Sequence, residues 1–312
     1  MRKPSLSHRA EFYALRGFIA LLRRLSWARA CALGERIGML GYKPLGVRRR
    51  VVERQIAAAF PDLHPEGVRA LSRKAYAHLG RSTVEIALLS SLGREQILDL
   101  VTEVSGWEAI EEAHALGRGI VIVSGHFGNW ELAGAYLPAR GIPLDVIVRR
   151  QGNPLFDRFL EETREILGMD VVADADAVRR APRALRDGRA VGFVADQGVL
   201  GLASTYVPFF GRPAKTPRGA AVFALRFDAP VVFITAVRLP GGTYRFVAEP
   251  VIAPRTGERE ADSDAIMLRF SEILESWVRR HPDQYFWHHR RWKRQPPDTP
   301  AALRDPAALG TT

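Results

Sequence analysis

Apolar residues recur at helical spacing through the first ninety positions and in short unbroken runs after them. Phe12, Leu15, Phe18, Ile19, Leu22 and Leu25 fall on one side of a helix, with Arg16 and Arg23 a heptad apart on the other. Helices are expected over 11–42, 48–59 and 65–92, with Pro44 and Gly46 separating the first two and Phe60-Pro61 ending the second. Further along, apolar runs at 119–124, 144–148, 170–173 and 190–195 read as strands. The amphipathic stretches 130–139, 154–167, 177–186 and 218–227 read as helices. This alternation is a βαβ pattern, and it predicts an α/β fold with a mostly parallel sheet flanked by helices. Runs at 231–239 and 244–252 flank Gly241-Gly242, a dipeptide that accepts positive φ, so they read as a hairpin; a helix over 262–280 closes the domain. Pro296, Pro297, Pro300 and Pro306 mark a disordered tail. The expected division is a basic helical region over 1–84, an α/β domain over 85–295 and the tail over 296–312.

Composition fits a folded soluble or peripheral protein, with 47% hydrophobic and 25% charged residues. Residues 1–60 carry thirteen Lys and Arg against Glu11, Glu35 and Glu53, which is nearly all of the net charge of +11. Such an end attracts polyanions, whether a membrane face, an acidic carrier protein or nucleic acid. The apolar residues interleaved with it favour a membrane surface. The longest uncharged stretch of the first helix, 17–22, is far below the roughly 20 residues of a spanning helix, so the segment is expected to lie in the interface. Trp287, Trp292 and the cations Arg290, Arg291 and Lys293 offer a second mixture of that kind. Cys31 is the single cysteine, which excludes an intramolecular disulfide and favours a reducing compartment.

Several chemistries fail at the level of motif. Gly117-Arg118-Gly119 precedes its strand and lacks a third glycine, no P-loop lysine is present, and no serine sits in G-x-S-x-G. His281, His288 and His289 crowd together without H-E-x-x-H spacing or cysteine partners, so no metal site is expected. What remains is Gly125-His126-Phe127-Gly128-Asn129-Trp130-Glu131, directly after the strand 119–124. A histidine there stands outside the carboxyl end of a sheet strand, where open α/β sheets place their chemistry. Glu131 falls in the first turn of the next helix, where the dipole favours its ionised form. From there it is expected to hold the Nδ1 proton of His126 and leave Nε2 as a general base. H-x4-[DE] arises about once by chance in a chain of this composition, so position rather than spacing gives the pair its weight. Asp196 and Gln197 also follow a strand and are expected to approach the same crevice.

SGHFGNWE (124–131) resembles the signature of the lipid A biosynthesis acyltransferases, the lauroyl and myristoyl transferases of the lysophospholipid acyltransferase superfamily. RRRVVERQIAAAFPDL (48–63) is similar to the family's basic helix ending in Phe-Pro, with Gln55 where many members have Asn. VRRQGNPLFDRFLEETREILGM (148–169), VADQG (194–198), VPFFGRPAKTPRG (207–219) and HPDQYFWHHRRWK (281–293) resemble later blocks in order. The resemblance implies a glycerol-3-phosphate acyltransferase-like fold and transfer of a fatty acyl chain from an acyl carrier protein or acyl-CoA thioester. The acceptor would be a hydroxyl of a membrane glycolipid or lysophospholipid at the cytoplasmic face of the inner membrane. It implies no cofactor beyond that cosubstrate. His126 and Glu131 would be catalytic; Phe127, Asn129, Trp130, Arg149, Arg164, Asp196, Gln197 and Thr216 would bind substrate. Backbone amides of 127–129 or the Arg149 guanidinium would serve the oxyanion. Two alternatives remain open, a phosphatidylinositol mannoside-type acceptor and an esterase or thioesterase using the same histidine. Nucleic acid is not an expected partner, because it leaves the histidine site unexplained.

Overall fold

The N-terminal helical run breaks at residues 23–26 into α1 (Leu6–Leu22) and α2 (Trp27–Tyr42) in the computed structural model, which describes residues 4–199 and 201–308. Ser5 starts α1, its hydroxyl accepting from the His8 N–H, and Ser26 occupies the N-cap of α2. Two further helices, α3 (Arg49–Ala59) and α4 (Pro65–Leu89), follow as the spacing predicts. The apolar side of α1 turns inward. Leu22 is buried and Phe18 and Leu25 pack beside it with Val84 and Leu88 of α4, leaving Leu6, Tyr13 and Leu21 exposed instead. The helices α2 and α4 meet backbone to backbone. A Cβ on Gly80 would lie 2.1 Å from the Gly34 carbonyl oxygen and 2.7 Å from the Gly38 nitrogen.

The α/β part runs α5 (Arg94–Leu100), β1 (Val101–Ser105), α6 (Trp107–Ala115), β2 (Ile120–Ser124), α7 (Trp130–Ala139), β3 (Leu144–Val148), α8 (Pro154–Ile166), β4 (Met169–Ala173), α9 (Ala177–Arg186) and β5 (Ala190–Val194). It continues through β6 (Ser204–Phe209), β7 (Arg212–Pro217), α10 (Gly219–Phe227), β8 (Val231–Arg238), β9 (Tyr244–Pro250) and α11 (Arg259–Arg280). Seven strands form one sheet in the order β1-β9-β8-β2-β5-β3-β4. Every neighbouring pair is parallel except β8 and β9, the hairpin expected from Gly241-Gly242. Both faces are covered. Val121, Val123 and Val191 pack in one core with α10 and α11, while Ile120, Ile122 and Ala190 pack in another with α7.

Three features depart from the sequence pattern. The α5–β1–α6 stretch carries no strand signal because β1 is an edge strand with only Val101 buried. The separate β6–β7 hairpin contains Pro208, Pro213 and Pro217, with Pro208 opposite Pro213; a two-stranded ribbon has free edges where a missing N–H breaks no ladder. The tail is not disordered over 296–308. Gln295 donates to Leu303 O at 2.8 Å, Arg212 to Ala302 O at 2.8 Å, and Arg290 pairs with the buried Asp305. Polar capture of its carbonyls supplies what its composition lacks.

The glycine crossing sets a test of the helical region. Gly80→Ala adds a methyl where only backbone stands to receive it, so it is expected to destabilise by at least about 1–3 kcal/mol, read as a lowered thermal midpoint. An unchanged midpoint would show that α2 and α4 separate freely.

Candidate active site

The site is assembled by sheet register. Parallel β2 and β5 pair Ser124 with Val194, and the ladder extends one bond further, from Ala195 N–H to Ser124 O at 2.9 Å. Two residues past each strand end stand His126 and Asp196, so the register carries them out side by side. The His126 Nδ1 lies 2.7 Å from Asp196 Oδ1. The imidazole is partly exposed, at 23%, while the carboxylate is buried, at 2%. Burial pushes the Asp196 carboxyl up; the charge and hydrogen bonds of His126, with the Arg291 guanidinium, outweigh it and hold the group down at about 2. An ionised Asp196 only accepts, so Nδ1 carries the shared proton and Nε2 is left with a lone pair. Trp130 stands edge-on to the imidazole at 4.9 Å between ring centroids, and Phe286 lies at 6.0 Å.

Glu131 is therefore not the orienter of His126 in this structure. It sits in the first turn of α7 as expected, but its carboxylate faces α8. There it accepts from Arg164, Nε to Oε2 at 3.0 Å and Nη2 to Oε1 at 2.5 Å. The fork is mostly buried on both sides. Burial pulls the Arg164 guanidinium down, but Glu131 more than offsets this and fixes it as a cation. Arg164 is thus engaged with protein rather than open to a headgroup. Arg149, in contrast, is exposed, and among the described residues its guanidinium makes no hydrogen bond or ion pair.

The turn between His126 and α7 is pinned at each residue. Phe127 N–H donates to Gly125 O, Gly128 N–H to Gln284 O and Asn129 N–H to Ala236 O, at 2.7, 3.0 and 2.8 Å. These amides, expected to serve an oxyanion, are already taken. Gly128 has φ 61°, and a Cβ there would fall 2.2 Å from Ala236 O, so this position requires glycine. Phe127, Asn129 and Thr216, expected at the substrate, are each fully buried. Asn129 caps α7, its Oδ1 accepting from Leu132 N–H, while Thr216 Oγ1 accepts from Arg291. Trp130 and Gln197 keep partial exposure beside His126 and Asp196. A cavity of about 480 Å³ lined by Arg180, Arg183, Arg189, Asp145 and Asp170 shares no residue with this crevice.

Sequence reasoning missed what stands behind the pair. The segment 284–292 forms a strap: Tyr285 bridges Phe127, and Phe286 N–H donates to His126 O at 2.9 Å. Burial and the Asp196 charge push the Tyr285 phenol well above its ordinary range, so it stays neutral. Arg291 is buried, donating to Lys215 O at 2.6 Å and to Thr216. Trp287 and Trp292 are fully buried too, so this segment is core and not a membrane-facing mixture. Glu85 of α4, 0% exposed, meets Arg81, Arg238, Tyr244 and Asn129, tying the helical region to the start of α7. The block HPDQYFWHHRRWK was the signal for the strap, but its aromatic and basic mixture reads equally as a surface.

Residues 1–294 match the bacterial lipid A biosynthesis acyltransferase family. The chain belongs to that family. It is 26% identical over 287 residues to the lipid A biosynthesis lauroyltransferase of Escherichia coli (strain K12), covering 91% of this chain and 92% of that one. The palmitoleoyltransferase of the same organism is 25% identical over 284 residues, 90% of each chain. A phosphatidylinositol mannoside acyltransferase of Mycobacterium tuberculosis (strain ATCC 25618 / H37Rv) is 26% identical over 237 residues, 74% of this chain and 72% of that one. The protein is an O-acyltransferase.

The pairing has a pH signature. Asp196 stays ionised throughout any ordinary assay range, so the acid limb of kcat/KM is expected to carry no ionisation of this carboxyl. The stability this pair contributes is present above the carboxyl's ordinary 3.8 and is lost as the pH falls through about 2. Asp196→Asn removes the charged acceptor of the Nδ1 proton, so kcat/KM is expected to fall on the order of 10²–10⁴-fold. The downfield proton resonance of His126 Nδ1–H should survive Glu131→Gln and vanish in Asp196→Ala; the reverse would return Glu131 to the orienting role.

Proposed function

We propose that this protein transfers a fatty acyl chain from an acyl carrier protein or CoA thioester to a hydroxyl of a membrane glycolipid of the lipid A precursor type. The observation that carries the reading is the His126–Asp196 pair, with Nδ1 engaged by the carboxylate and the imidazole partly exposed at the carboxyl end of the sheet. In the reaction, Nε2 takes the proton of the acceptor hydroxyl as its oxygen attacks the thioester carbonyl. Asp196 stabilises the imidazolium so formed. The tetrahedral intermediate expels the thiolate, which recovers the proton from Nε2, so no acyl-enzyme forms and the histidine returns to its starting state. Glu131 contributes by holding Arg164 beside the positive end of α7. Arg149, the exposed guanidinium, is suited to a phosphate of the lipid headgroup or of the donor's phosphopantetheine, and Trp130 to the edge of the reacting group.

The support for a membrane surface is the set of exposed apolar residues in the basic region. Leu6, Tyr13 and Leu21 lie among Arg9, Arg16, Arg23 and Arg24, and Leu45 and Val47 stand exposed at the turn before Arg48. No helix among the described residues is long and apolar enough to cross a membrane. This fits a peripheral protein on the cytoplasmic face of the inner membrane. The similarity to the mycobacterial acyltransferase favours a second acceptor, a phosphatidylinositol mannoside, with the same chemistry.

His126→Ala is expected to lower acyl transfer by about 10³-fold or more with the fold intact by circular dichroism; full activity would sink the base assignment. Without acceptor lipid, donor should persist, whereas release of free fatty acid would identify a hydrolase. Mass spectrometry of lipids from cells with and without the gene reads the acceptor as the species that loses one acyl chain. Deleting residues 1–30 should release the protein from anionic vesicles, and undiminished binding would refute the interfacial helix.

A further inference from the structure

The strap behind the catalytic pair is held by one side chain from the other end of the sequence. Gln55 of α3 is 0% exposed, and every polar atom of its amide is spent on strap backbone. Its Nε2 donates to Trp287 O at 2.6 Å and to His289 O at 2.8 Å, and its Oε1 accepts from Arg291 N–H at 2.8 Å. These three bonds fall at alternate residues, between the part of the strap that bonds the His126 carbonyl and the guanidinium whose charge acts on Asp196. A primary amide is the group this demands, two donors and one acceptor in one plane. A carboxylate would set two acceptors against two carbonyls, and an alkyl chain would leave all three backbone groups buried and unpaired.

We propose that Gln55 is a positioning residue for the His126–Asp196 pair, acting through strap residues 285–291. It touches neither substrate nor reacting atoms. Its effect is to fix Phe286 and Arg291 at once, so that the His126 backbone and the environment of Asp196 keep one geometry. The inference rests on the general-base reading given above and adds a residue from the N-terminal helices to it.

The test is a double-mutant cycle between Gln55→Leu and Asp196→Asn, with thermal midpoints recorded for every variant. Gln55→Leu is expected to lower kcat about 10–100-fold and to leave the donor KM within about twofold. In the Asp196→Asn background the further loss should shrink to under about twofold, because the geometry Gln55 maintains no longer has a catalytic pair to serve. The His126 Nδ1–H resonance should broaden in Gln55→Leu well below its thermal midpoint. Should that variant not fold, Gln55→Asn, one methylene short of its partners, carries the same cycle. Losses that multiply in full, or an unchanged resonance beside lost activity, would overturn the positioning role. Full activity in His126→Ala would instead overturn the general-base reading itself, so the two failures are distinguishable.

Discussion

The site depends on the register between β2 and β5. Neither His126 nor Asp196 is placed by a loop of its own choosing; each is the second residue beyond a strand end, and the pairing of Ser124 with Val194 brings the two ends level. A slip of one residue would send one of the side chains to the opposite face of the sheet. Because both faces are packed, such a slip would also turn apolar residues of two cores outward, so the cores enforce the register that brings His126 to Asp196. The remaining contacts secure what the register has placed: the turn 125–129 is bonded to β8 and the strap, and Glu85 reaches the same turn from α4.

Two carboxylates and two bases meet at this end of the sheet, and they pair in the way that sequence distance conceals. Glu131 is five residues from His126, yet its helix turns it toward α8, where the flat guanidinium of Arg164 donates to both of its oxygens. Asp196 is seventy residues away and reaches the imidazole directly. Each anion is buried with a partner that can share its charge, which is the condition for keeping either of them inside.

Much of the architecture was legible because the buried strands and the amphipathic helices carry their periods plainly. What was lost is where side-chain burial gives no period, at β1 with its single buried residue, and where proline argues against a strand, in β6 and β7. The histidine and the crevice were legible from the strand-to-helix junction, as was the approach of Asp196. That Asp196 rather than Glu131 bonds the imidazole was not, because the choice between two acids depends on where α7 points its first turn. Phe127, Asn129 and Thr216 show the limit of reading a motif as a contact list: residues inside a functional block can serve it from beneath, as cap or prop, with no exposure at all. The strap was present as a block of residues but unreadable as structure, since Trp287, Arg291 and Trp292 look like a surface until the hydrogen bonds that bury them are seen.

Gln55 and Trp287 are separated by 232 positions and joined by one hydrogen bond. A chain made from its N-terminus can shape the four helices and the sheet before residue 285 exists, yet the backing of the histidine arrives only with residues 285–291. Translation itself thus sets an order: the helical region is available early, and the backing of the His126–Asp196 pair is completed only after the sheet that holds it.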